Sequence, residues 1–126
     1  MTIRVYYEDT DMGGVVYYAN YLKFCERARS ELFFSKGESP MFEGGHFVVR
    51  HLEADYKQSA RLGDLLEVTA EVESISGTTL QMRQRVSKEG ETLFTMRVKL
   101  VYLTLEGRVG RLDEAKKAKL LSLLKD

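Results

Sequence analysis

An α+β fold, with a helix seated on an antiparallel sheet, is the architecture this chain predicts. Two patterns carry it. One segment repeats its apolar residues at helical spacing. Later segments alternate apolar and polar residues at the two-residue period of strands. Turn residues fall between the alternating segments, as antiparallel neighbours require. No linker, repeat or low-complexity stretch interrupts the chain, so residues 1–126 read as one domain.

Ile3 to Tyr7 reads as a short first strand. Asn20 to Lys36 reads as a helix: Tyr21, Cys25, Ala28 and Leu32 share one face, with Leu22 and Phe33 beside them. Asn20 suits the N-cap and Gly37 the C′ stop. Gly37 to Gly45, which holds Pro40, reads as a loop. His46 to Lys57 is extended and partly β-branched. Leu66, Val68, Ala70 and Val72 alternate with Glu67, Thr69, Glu71 and Glu73, a strand with one apolar face. Leu80, Met82 and Val86 alternate with Gln81, Arg83 and Arg85. Phe94, Met96, Val98, Leu100 and Tyr102 alternate with Thr95, Arg97, Lys99 and Val101. Ser76-Gly77-Thr78 and Glu89-Gly90-Glu91 sit at the turns between them. Asp113 to Lys125 reads as a short amphipathic C-terminal helix, with Leu120, Leu121, Leu123 and Leu124. The long helix must bury its apolar face on the sheet. The strongly alternating last strand and the single long helix leave sheet edges and apolar area that one subunit covers poorly, which predicts an oligomer.

Composition narrows the function classes. The chain is 44% apolar and 30% charged, a globular balance. Lys+Arg and Asp+Glu each total 19, so no net charge draws it to nucleic acid or an anionic membrane. One cysteine excludes an internal disulfide and fits a reducing compartment. No basic-then-apolar leader opens the sequence, and no apolar run nears the roughly 20 residues of a membrane span. A soluble cytoplasmic protein is the expectation.

The chemistry-bearing segment runs from Tyr6 to Tyr21. Glu8, Asp9 and Asp11 put three carboxylates within four positions, and Gly13-Gly14 follows at once. Two readings of Asp11 stand at this point. It is a turn residue bonding its own backbone, or a carboxylate set before a helix N-terminus whose free N–H groups can hold an oxyanion. Gly13 and Gly14 likewise permit close ligand approach or simply form a turn. Glu8 and Asp9 read as solvated or paired with Arg4. Asp9-Thr10-Asp11 lacks the Gly-Thr of a phosphatase motif, and the twelfth position from Asp9 is Asn20 rather than the Glu of a calcium loop. Cys25 lies on the apolar helix face and reads as packing. His46 and His51, five apart in a strand, point to opposite faces and cannot share a metal. Glu26 and Arg29, at i, i+3, can pair. There is no Gly-x-Ser-x-Gly elbow and no zinc spacing.

Tyr6-Tyr7-Glu8-Asp9-Thr10-Asp11, Gly13-Gly14-Val15-Val16-Tyr17, Asn20-Tyr21-Leu22 and Glu26-Arg27-Ala28-Arg29 together resemble the YbgC-type acyl-CoA thioesterases, in the 4-hydroxybenzoyl-CoA thioesterase branch of the hotdog superfamily. Phe47-Val48-Val49-Arg50, Ala60-Arg61-Leu62-Gly63-Asp64 and Gly77-Thr78-Thr79-Leu80 extend the resemblance in order. It implies a hotdog fold, a curved antiparallel sheet wrapped around a central helix. It implies a dimer with a continuous sheet, often paired into tetramers, with active sites between subunits. Asp11 falls on the family's catalytic aspartate, a nucleophile or a general base. Tyr18 departs from the pattern, since most close relatives carry His there. A related branch carries Tyr, whose backbone N–H polarises the thioester carbonyl. With Gly14, Tyr18 is the expected oxyanion and substrate-binding pair; the other reading of Tyr18 is a side chain that packs in the acyl pocket or an interface. The substrate implied is an acyl-CoA thioester, with acyl carrier protein as a second donor of the same pantetheine arm. No metal or redox cofactor is implied. Lys57, Arg61, Arg83 and Arg85 are candidates for the CoA phosphates, though each taken singly reads first as part of a solvated strand face. A non-catalytic module that binds CoA esters, acyl carrier protein or an envelope-associated partner is the alternative. A hotdog dehydratase ranks last, because its Phe-Pro-Gly element is missing.

Overall fold

The buried residues of α1 (Asn20–Phe34) are Tyr21, Phe24, Cys25, Ala28 and Phe33, and this stripe lays the helix on a sheet. The structure is a computed structural model that describes residues 1–125. Five strands follow the order β1 (Thr2–Arg4), β3 (Leu65–Ile75), β4 (Thr79–Lys88), β5 (Glu91–Thr104), β2 (Gly45–Tyr56), and every neighbouring pair is antiparallel. A short α2 (Glu114–Leu123) closes the chain, with the Asp113 carboxylate accepting the Lys116 N–H at its start.

The alternation resolves the two sheet faces as expected. Leu66, Val68 and Ala70, then Leu80, Met82 and Val86, then Phe94, Met96, Val98, Leu100 and Tyr102 are buried. Gln84 is buried with them, a polar residue on an apolar face. Its amide N–H donates to the Cys25 carbonyl at 2.9 Å, and its carbonyl accepts from Arg29 at 2.8 Å. The i, i+3 pair of Glu26 and Arg29 is therefore not formed; the guanidinium turns inward to an amide. Burial pulls Arg29 below its ordinary pKa.

Other boundaries differ for physical reasons. The first strand ends at Arg4, and Tyr7–Asp9 is a 3₁₀ turn. The Asp9 carboxylate accepts the Tyr6 N–H at 2.9 Å and Thr10 Oγ1 donates to the Tyr7 carbonyl, local bonds that outcompete a ladder. Asp9 is thus a turn cap, and Arg4 bonds the Gly63 carbonyl instead of a carboxylate. Gly37 does stop α1: its N–H donates to the Phe34 carbonyl and the Glu38 N–H to that of Phe33, a Schellman close.

A bulge between Val49 and His51 reverses the side-chain parity of β2. Phe47 opposes Tyr102 and Val49 opposes Leu100, but beyond the bulge Leu52, Ala54 and Tyr56 oppose Val98, Met96 and Phe94. Tyr56 therefore faces the same side as Phe47. The bulge also overturns the opposite-face reading of the histidines. His46 opposes Leu103 and His51 opposes Lys99, so both take the same face, roughly 13 Å apart along the strand. The edges differ too: β5 is interior, and the strands with one neighbour are β1 and β2.

Candidate active site

Asp11 opens a three-residue hairpin loop. The Gly14 N–H donates to the Asp11 carbonyl at 3.0 Å, and the Asp11 N–H donates to the Val15 carbonyl at 2.9 Å. Gly14 takes a φ of +75°, the left-handed residue that closes such a loop. Nothing lies within 4 Å of where its Cβ would stand, so conformation rather than crowding demands glycine within this chain. Asp11 Oδ1 accepts the Gly13 N–H at 2.9 Å. The turn reading thus holds for one carboxylate oxygen. The other has no donor among the described residues, and the side chain is exposed. One oxygen orients the group and leaves the other available.

The hairpin arms meet at a bridge between Thr10 and Val16, and the Tyr17 N–H donates to the Asp9 carbonyl at 3.0 Å. The same carbonyl accepts from Asn20 Nδ2 at 2.9 Å. This corrects the N-cap expectation. The cap position is Ala19, in helical conformation, and the Asn20 amide instead ties the hairpin to α1. A third segment locks the other side. The Val16 N–H donates to the Ala60 carbonyl at 2.8 Å and the Leu62 N–H to that of Gly14 at 3.2 Å. The Ala60 N–H donates to the Tyr21 hydroxyl at 3.0 Å, and the Tyr21 ring stacks on Phe94 at 5.0 Å. The exposed loop is thereby anchored to the core.

Tyr18 stands between the hairpin and α1, with 62% of its surface exposed. The N–H groups of Tyr17 and Asn20 are hydrogen-bonded, whereas those of Tyr18 and Ala19 have no acceptor among the described residues. Two unspent donors lie at the positive end of the helix dipole. The structure brings Asp11, Gly13 and Gly14 together in one turn. No hydrogen bond joins Tyr18 to Asp11 among the described residues.

Sequence reasoning missed Tyr56. Its hydroxyl donates to the Tyr18 carbonyl at 3.0 Å, across 38 positions. Its ring packs edge-on against Phe94 at 5.0 Å and Tyr21 at 5.6 Å. Burial pushes its phenol above the ordinary value, with Tyr18 and Tyr21 adding to the rise, so it is a protonated donor near neutral pH.

The remaining candidates sort plainly. Cys25 is fully buried and its thiol is pushed up to about 12, which makes it inert packing. Arg83 pairs with Glu73 at 3.0 Å, and Arg85 bonds Thr92 and the Gly90 carbonyl. Lys57 and Arg61 have no side-chain partner among the described residues. Arg61 is bridged to Val15 beside the hairpin, and Lys57 follows Tyr56. A cleft of about 380 Å³ opens between α1 and β2, lined by Arg29, Phe33, Met41 and Val48 among others, and does not include Asp11. No helix is long and apolar enough to cross a membrane.

The family model described as "Thioesterase superfamily" (4HBT) matches residues 13–95, beginning two residues after Asp11. The chain is 48% identical over 86 residues to the acyl-CoA thioesterase YbgC of Helicobacter pylori, covering 68% of this chain and 65% of that one. It thus spans just under two thirds of that relative. It is 43% identical over 107 residues to the acyl-CoA thioesterase YbgC of Haemophilus influenzae, covering 82% and 79%. The crystal structure of a probable thioesterase from Bartonella henselae superposes with a TM-score of 0.84 at 33% identity, covering 90% and 97%. With its five-stranded antiparallel sheet and long helix, the chain has the hotdog fold and belongs to the 4HBT thioesterase superfamily.

Proposed function

We propose that this protein is an acyl-CoA thioesterase, hydrolysing an acyl-CoA thioester to free acid and CoA at Asp11. The observation that carries the reading is the free Asp11 carboxylate oxygen, held beside Gly13-Gly14 in a thioesterase-superfamily chain. Two routes use it. As a general base, Asp11 takes a proton from water while the water oxygen attacks the carbonyl carbon. As a nucleophile, its oxygen attacks the carbon and the C–S bond breaks to give a mixed anhydride, which water then hydrolyses. In both routes the carbonyl oxygen becomes an oxyanion, the Tyr18 N–H stabilises it, and CoA leaves as a thiolate that takes a proton. Any residue but proline supplies that amide, so a Tyr where relatives carry His keeps the donor. Gly14 gives the turn that holds Asp11.

Lys57 and Arg61, whose side chains make no hydrogen bond or ion pair among the described residues, suit the CoA phosphates better than the engaged Arg83 and Arg85. Acyl carrier protein would present the same thioester arm. The chain acts as one domain in the cytoplasm and as a homo-oligomer. The β2 edge, 12 residues long with only β5 beside it, is the natural seam for a dimer, and dimers pair into a tetramer. The test is thiol release from butyryl-, octanoyl-, palmitoyl- and benzoyl-CoA. Turnover of at least one supports the reading. Tight binding of CoA esters without turnover would favour the non-catalytic module, the reading that the Tyr18 departure keeps in view.

A further inference from the structure

We infer that Tyr56 is a positioning residue for the thioester carbonyl: by holding the Tyr18 carbonyl, it fixes the Tyr18–Ala19 peptide and makes the Ala19 N–H a second oxyanion donor. The inference rests on the proposed thioesterase reading and adds to it a residue, a donor and a structural device.

The peptide unit is planar and trans, so its C=O and N–H point in opposite directions. A bond from Tyr56 to the Tyr18 oxygen, at 3.0 Å, therefore sets where the Ala19 N–H points. That N–H has no acceptor among the described residues, whereas Asn20 next to it is bonded to the Tyr17 carbonyl at 2.8 Å. Donation into a carbonyl also polarises its peptide, which strengthens the N–H at the other end. A group meant only to pack would not need the hydroxyl. The ring is already held edge-on by Phe94 and Tyr21.

The fold contains a device that aims this phenol. Tyr56 lies nine positions after Phe47 on β2, which regular pleating would send to the opposite face. The bulge after Val49 restores parity, so Tyr56 opposes Phe94 on the helix-facing side. Without it, the last residue of β2 would face away from Tyr18. Asn20 holds the other flank through the Asp9 carbonyl. The Tyr18–Ala19 segment is thus clamped from both sides while its two N–H groups stay open.

The test compares wild type, Tyr56→Phe and Asp11→Asn on whichever of butyryl-, octanoyl-, palmitoyl- and benzoyl-CoA wild type turns over fastest. Phenylalanine keeps the ring contacts and removes one oxygen, so the unfolding midpoint is the check on folding. The expected result for Tyr56→Phe is a kcat about 10-fold lower with KM within about 2-fold. That is a fraction of the roughly 10²–10³ lost with a whole oxyanion donor. The ¹³C resonance of the Tyr18 carbonyl should shift in the same variant, a signature that ring packing alone would not produce. This resonance is read without substrate, so it remains informative whatever the turnover. Wild-type kcat in Tyr56→Phe, a change confined to KM, or an unmoved Tyr18 resonance each overturns the inference. If Asp11→Asn is inactive while Tyr56→Phe is unimpaired, Tyr56 loses its role and the thioesterase reading stands. If wild type turns over no ester, both fall together.

Discussion

The Asp11–Tyr18 region and the Gln84–Arg29 seam are both polar, and they treat their polar groups in opposite ways. In the seam, Gln84 is completely buried and both ends of its amide are engaged, with Cys25 and Arg29. In the hairpin, one Asp11 oxygen and the N–H groups of Tyr18 and Ala19 are left without partners among the described residues, although the surrounding backbone is bonded on three sides. Buried polar groups must be satisfied because water cannot reach them. Groups left open on a braced scaffold are available to a ligand. Removing one of the open groups of the hairpin should therefore cost chemistry without stability, and removing a partner in the seam should cost stability without chemistry.

The sharpest break should come at Asp11. Asp11→Asn keeps a side-chain oxygen for the Gly13 N–H but removes both the carboxylate nucleophile and the base. Turnover should fall roughly 10²–10⁴-fold, with an unchanged unfolding transition. Thiol-release kinetics beside a thermal melt check both halves. Next is Tyr18→Pro, which deletes one donor and should cost roughly 10²–10³ in kcat. Tyr18→Phe, which leaves every backbone amide intact, should stay within a few-fold of wild type. A collapse in a folded Tyr18→Phe would assign the chemistry to the phenol.

The seam gives the mirror result. Gln84→Leu fills the space but strips Arg29 of its acceptor, leaving a largely desolvated guanidinium unpaired. Stability should fall by about 2 kcal/mol, measured by urea unfolding, while activity per folded molecule holds. The smallest effect is that of Gly14→Ala. It puts a Cβ on a left-handed residue at a cost of about 1–2 kcal/mol, and space for the methyl group is ample. The strain lies in the turn that holds Asp11, so it bears on the carboxylate's position as well as on folding. A modest loss of both stability and kcat is the expected outcome of unfolding and turnover assays.

What could be read from the sequence follows the range of the forces involved. Periodicity is local, so α1 and the helix-facing residues of β3, β4 and β5 were legible. The Asp11 turn was legible for the same reason, since its hydrogen bonds lie within the five residues from Asp11 to Val15. Three features were not. Tyr6 and Tyr7 look like strand residues, but the carboxylate of Asp9 and the hydroxyl of Thr10 draw them into a 3₁₀ turn. Asn20 looks like a cap, but the hairpin carbonyl of Asp9 is a better acceptor for its amide than the helix is a claimant for its oxygen. Tyr56 reaches Tyr18 only because of a bulge whose parity shift no alternation pattern reveals. A polar residue at an apolar position, Gln84 among Leu80, Met82 and Val86, was the one available sign of the buried seam.

Where the thioester binds decides whether the open groups around Asp11 and Tyr18 form one site. Asp11→Asn, expected to turn substrate over far more slowly than wild type, is titrated with the acyl-CoA that wild type hydrolyses fastest, and backbone amide shifts are followed by NMR. The largest perturbations are expected at Gly13, Gly14, Tyr18 and Ala19. Saturable binding that leaves the Tyr18 and Ala19 amides unmoved would contradict it.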